Sequence, residues 1–104
     1  MTQRAIVDCD GILCCPHCGG NNLHHSTVEV FNRPREDDPS TAVLVKENGA
    51  PIVGHPLSNP SGRRNGILIE FKCENCGFDN PAKVFALGIV QHKGNTFLSW
   101  FGVV

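Results

Sequence analysis

Three stretches of this chain alternate apolar and polar positions at a spacing of two, the period of a half-buried strand. In "STVEVFNR", Val28 and Val30 flank Glu29, and the β-branched content strengthens a strand prediction over about 26–32. "GILIEFK" (66–72) repeats the pattern, with Ile67, Ile69 and Phe71 on one face. "AKVFALGIVQHKGNTFLSWFGVV" supplies two further apolar runs around Lys93-Gly94-Asn95, which is hairpin chemistry. Phe85, Leu87 and Ile89 fall on one face of the first run, and Phe97, Ser99 and Phe101 on one face of the second. A helix over 81–93 competes here, because Asn80 suits an N-cap, Pro81 a first helical position and Gly94 a stop. Gly88 and the β-branched residues weaken that helix, so strand is preferred.

Between the first two strands, "PREDDPSTAVLVKENGAPIVGHPLSNPSGRRNG" is rich in Pro, Gly, Ser and Asn, except for "TAVLV" and "PIVG" around Asn48-Gly49. Asn-Gly between apolar runs predicts a hairpin. The expectation is a mainly β domain: an antiparallel sheet of about four strands, with a hairpin and its loops inserted at about 34–65.

A chain of 104 residues fits a single domain spanning 1–104, small enough for a metal staple to matter. Nine Lys plus Arg against ten Asp plus Glu leave a net charge of -1, so any affinity for nucleic acid must be local. Asp8 and Asp10 interrupt the place where a signal peptide would need an apolar run, and no later run is long enough to cross a bilayer. A cytoplasmic protein with no membrane contact is expected. In that compartment the 6 Cys point to metal rather than disulfides.

One short word recurs, "CPHCGG" at 15–20 and "CENCGF" at 73–78. A Cys-x-x-Cys turn offers two sulfurs from one loop, and a Gly just after it lets the chain turn with positive φ while amides approach the sulfurs. Cys15, Cys18, Cys73 and Cys76 thus form a complete four-thiolate set for a structural Zn2+. The long excursion from Cys18 to Cys73 is no obstacle. Loop-closure entropy grows only logarithmically, against about 10–16 kcal/mol from structural zinc.

Read alone, Cys15-Pro16-His17-Cys18 also suits a dithiol redox loop. Such a loop opens a helix whose positive end lowers the nucleophile's pKa, whereas Gly19, Gly20, Asn21 and Asn22 are poor helix material. Cys9 and Cys14 read as small buried side chains. His17 is expected to face solvent, and His24 and His25 to open the strand rather than bind metal.

The two knuckles resemble the zinc-ribbon superfamily. Together "CPHCGG", "LHHSTVEVFNR", "NPSGRRNG", "FKCENC" and "QHKGNTFLSW" resemble small zinc-ribbon proteins encoded by actinobacterial phages and prophages. The resemblance implies a zinc ribbon and brings no established activity.

Strands at 26–32, 66–72 and 84–91 would each have one end at the metal. Their other ends carry Arg33, Arg35, Arg63, Arg64, His92 and Lys93. Such a cluster suits phosphate, although Glu36, Asp37 and Asp38 offer it ion-pair partners instead. Trp100 and Phe101 are expected in the core. No Ser-His-acid set, phosphate loop or His-Glu-x-x-His word appears, a ββα nuclease would need a His and Asn order that is missing, and four Cys close the open position a catalytic zinc requires. The sequence therefore predicts a non-enzymatic zinc module with no small-molecule substrate. Nucleic acid is the first partner class; a protein partner or a homo-oligomer, through an apolar face at Val84, Ala86 and Val90, is the alternative.

Overall fold

The computed structural model describes residues 3–33, 35, 41–46, 52–54, 59–61, 64–77 and 85–102. Among them there is no helix, and seven strands form one antiparallel sheet. They are β1 (Gln3–Arg4), β2 (Leu23–Asn32), β3 (Thr41–Val45), β4 (Ile52–Gly54), β5 (Gly66–Cys73), β6 (Phe85–His92) and β7 (Asn95–Phe101), in the order β1-β7-β6-β5-β2-β3-β4. The four-strand sheet expected from the sequence is β2, β5, β6 and β7. The inserted hairpin is β3–β4, which extends that sheet beyond β2.

β5 lies between β2 and β6. Its alternation and β-branched residues fit a strand flanked on both sides, and each face meets a different neighbour. β6 and β7 join through Lys93-Gly94 with His92 opposite Asn95. Both turn residues have positive φ, 49° and 82°, the two-residue turn whose twist matches that of the strands. Strand therefore prevails over helix for 85–92. The proposed helix start at Asn80 and Pro81, the Asn48-Gly49 turn and Val84 lie outside the described residues.

Residues directly opposite on antiparallel strands share a face. One face carries the row His25, Phe71, Phe85 and, next to it, Val28, Ile69, Leu87, Trp100. Cys15, Cys73, Phe85, Leu87 and Trp100 are the buried core on this side, with Leu13, Leu23, Ile69 and Phe71 packed against them. The core thus sits at one end of the sheet, the end holding the cysteines. It is covered by residues 5–14, which leave β1, fold back through the Val7–Leu13 bridge and deliver Cys15. Asp8 caps this turn, its carboxylate accepting from the Asp10 and Ile12 amides at 2.9 and 3.0 Å.

The opposite face is closed at the other end of the sheet. Phe31 and Ala42 are buried there, beside Gly66. The Asn59–Ser61 loop crosses directly over Gly66, where a Cβ would stand 2.6 Å from Asn59 Oδ1 and 2.8 Å from Pro60 Cγ. Only glycine permits that crossing.

Candidate metal centre and cationic pole

The first knuckle precedes β2 and the second follows β5, and Leu23 pairs with Cys73. Antiparallel pairing of β2 with β5 therefore brings the two Cys-x-x-Cys turns side by side. The sulfurs of Cys15, Cys18, Cys73 and Cys76 all lie within 4.8 Å of one another. Across the knuckles, Cys15 Sγ is 3.9 Å from Cys76 Sγ and Cys18 Sγ is 3.6 Å from Cys73 Sγ. A tetrahedral ion with metal–sulfur bonds of about 2.3 Å separates its sulfurs by about 3.8 Å, so these distances bracket the value a bound ion requires.

Each turn is built for sulfur. Gly19 and Gly77, the residues just after each pair, have φ of 76° and 93°. The His17 and Gly20 amides donate to Cys15 Sγ and Cys18 Sγ, each at 3.4 Å. Such bonds stabilise thiolate over thiol. The Asn75 side-chain amide occupies the space a Cβ on Gly20 would need, so the knuckles touch directly. His24 Nε2 and Glu74 Oε2, 3.2 Å apart, add a link between the start of β2 and the second knuckle, and the Glu74 amide donates to Asn22 O at 3.0 Å.

Without a cation Cys18 is pulled toward the thiolate while Cys73 and Cys76 are pushed toward the thiol. The Gly20 amide and then the Cys73 thiol pull Cys18 down to about 7. Burial pushes Cys73 up, and burial followed by the neighbouring sulfurs pushes Cys76 up to about 12. A divalent ion held by these sulfurs would resolve this conflict by replacing protons. The donor set suits soft or borderline metals and not the hard, oxygen-seeking ones.

Beneath the cluster lies an aromatic cushion. Phe85 and Trp100 meet edge-to-face with centroids 4.9 Å apart, and Phe71 approaches Trp100 at 5.7 Å. His17 corrects an expectation: its ring is half-buried, packing edge-on against Phe85 at 5.4 Å. The knuckle lies flat on the core, so the middle of the turn reaches Phe85 instead of water. Cys9 and Cys14 are also not the buried side chains expected, being exposed and half-exposed. They belong to the outer layer that residues 5–14 form over the core. Neither joins the four-sulfur cluster, nor do His24 and His25, which lie within β2.

No protein-family model, curated protein or solved structure matches this chain.

At the far pole, Arg64, His92 and Lys93 line one cleft of about 320 Å³ together with Gln91 and Gly94. β5 has eight residues, so this cleft lies about 25 Å from the sulfurs. Three of the six expected basic residues thus converge. Arg33 sits at the same pole, its amide donating to Asn65 Oδ1 at 2.6 Å, and Arg35 is exposed beyond it. Arg63, Glu36, Asp37 and Asp38 lie outside the described residues.

A buried serine, unnoticed in the sequence, builds the cleft. Ser61 Oγ donates to Gln91 O at 2.7 Å and accepts from the Arg64 amide at 2.9 Å. Asn59 braces the same turn through the Ser61 amide and Arg64 O. The signal was the small polar word "NPSGRRNG" itself, whose residues favour side-chain-to-backbone bonds.

Proposed function

We propose that this chain is a module of the zinc-ribbon type, in which Zn2+ on Cys15, Cys18, Cys73 and Cys76 holds the sheet together and the opposite pole associates with nucleic acid. The observation that carries the binding role is the convergence of Arg64, His92 and Lys93 on one cleft, from two segments distant in sequence. Guanidinium and ammonium groups at one cleft suit a phosphate backbone. The metal has a structural role in this reading, since four thiolates leave no open coordination position.

Metal analysis and oligonucleotide binding test the two halves separately. One Zn2+ per chain is expected, lost only with stringent chelation. Binding to a labelled oligonucleotide should weaken steeply between about 50 and 200 mM salt. Arg64→Ala combined with Lys93→Ala should abolish it; binding unchanged by those substitutions overturns the nucleic-acid reading.

One observation favours self-association or a protein partner as a second reading. The row Val43, Val30, Ile67, Ile89, Leu98 crosses five strands on the core face, and Val43, Val30 and Leu98 are 37 %, 41 % and 44 % exposed. This is not the apolar face expected from the sequence: Ala86 and Val90 are half-buried on the other side. Association through the row would survive the salt that disrupts nucleic-acid binding.

A further inference from the structure

Phe97 is 48 % exposed, in a chain whose only tryptophan is 1 % exposed. Its place in the register gives that exposure a meaning. Phe97 is opposite Val90, and His92 is opposite Asn95. Two positions along from Val90, His92 projects from the same face as Phe97, so the pair are diagonal neighbours. The Lys93-Gly94 turn closes this corner, and Arg64 completes the cleft. On the reverse face of the same corner, Gln91 Nε2 donates to Thr96 Oγ1 at 2.6 Å, bracing β6 against β7.

Building on the nucleic-acid reading, we infer that the far pole is a single-strand site: a base stacks on the Phe97 ring while its flanking phosphate lies in the cleft of Arg64, His92 and Lys93. An open aromatic face beside cations is what unpaired nucleotides recognise, because every base presents a π-face once unstacked. In a duplex those faces are occupied by neighbouring bases, so a double helix can engage the cations but not the ring. The flat sheet corner also carries no projecting helix among the described residues for a major groove.

The test uses the zinc-loaded chain and three fluorescein-labelled probes, an oligothymidylate, an oligouridylate and a DNA duplex of equal length, read by anisotropy. Wild type should bind the single strands at least tenfold more tightly than the duplex. The two single-stranded probes distinguish DNA from RNA as the source of the base. Phe97→Ala should weaken single-strand binding about 5- to 100-fold and leave duplex binding and zinc content unchanged. Phe97→Trp should retain affinity and add an indole emission that is quenched on binding. Unaltered single-strand affinity in Phe97→Ala, or equal affinity for duplex, overturns the single-strand assignment. If Arg64→Ala with Lys93→Ala leaves binding intact, or wild type binds no probe, the nucleic-acid reading itself falls.

Discussion

The Trp100 indole stands perpendicular to the Phe85 ring, at 89° and 4.9 Å, and both are buried in the same cluster as Cys15 and Cys73. The four-cysteine cluster and the hydrophobic core are therefore one packed unit. A half-site lacking its ion would leave mutually repelling or protonated sulfurs against that core, and the aromatic packing would loosen with them.

Metal removal should for this reason be visible at Trp100. The chain has 1 Trp and 0 Tyr, so long-wavelength emission reports this residue alone. Stringent chelation under reducing conditions should red-shift that emission as water reaches the indole, and far-UV circular dichroism should lose its strand signature. Re-addition of Zn2+ should restore both. A metal-free chain with blue-shifted emission and an unchanged spectrum would contradict the coupling.

The same cluster fixes a pH dependence. Cys73 and Cys76 are both held above the ordinary thiol value of 9.0, and Cys76 reaches about 12. Both carry protons at neutral pH in the metal-free chain, so an ion must displace at least these two. Apparent zinc affinity should rise by about two or more orders of magnitude per pH unit between about pH 6 and 8, and fall correspondingly on acidification. Competition against a chelator of known affinity, buffered at several pH values, measures the slope. A slope near zero would exclude thiolate ligation by this pair.

The six cysteines should separate into two classes. Cys73→Ser removes a candidate ligand that is 1 % exposed and leaves a hydroxyl in the core, so zinc should be lost and the chain should unfold. Cys9→Ser and Cys14→Ser, in the outer layer, should keep zinc content unchanged and shift stability by less than about 0.5 kcal/mol each. Metal content by mass spectrometry and a thermal melt of each variant decide the matter.

Which parts of this were legible in the sequence follows from the range over which each signal acts. The cysteine pairs were readable because a knuckle is a local device, and because strands of period two must carry its flanks either toward or away from a shared end. β5 and β7 were readable from alternation, and β6 only once Gly88 and its β-branched residues had been weighed against the helix that Asn80 and Pro81 offered. β1 was not, since Gln3–Arg4 is too short to show a period and exists only by pairing with Ser99 and Trp100. The extra residue that breaks the β2–β5 register between His25 and Val28 was equally silent. It places Ser26 Oγ 3.3 Å from Glu70 Oε1, a contact that depends wholly on the partner strand. His17 was misread because its fate depends on how the knuckle lies on Phe85, a tertiary fact.

Ser61 offers the sharpest check on the far pole. It is 2 % exposed, and its hydroxyl serves two backbone groups at once, donating to Gln91 O and accepting from the Arg64 amide. Ser61→Ala would leave a part-buried carbonyl and a part-buried amide each without that partner, at a cost of about 1–3 kcal/mol. The four-cysteine end, about 25 Å away along β5, should keep any bound metal and its Trp100 emission, since substitutions that far apart act nearly independently. Arg64 would lose one of the bonds that hold its backbone beside His92 and Lys93, the Asn59 contact remaining, so single-strand affinity should drop even though no cation was removed. A Ser61→Thr variant keeps the hydroxyl and should recover part of that affinity. Unchanged affinity in Ser61→Ala would mean that the two hydroxyl bonds do not hold the cleft.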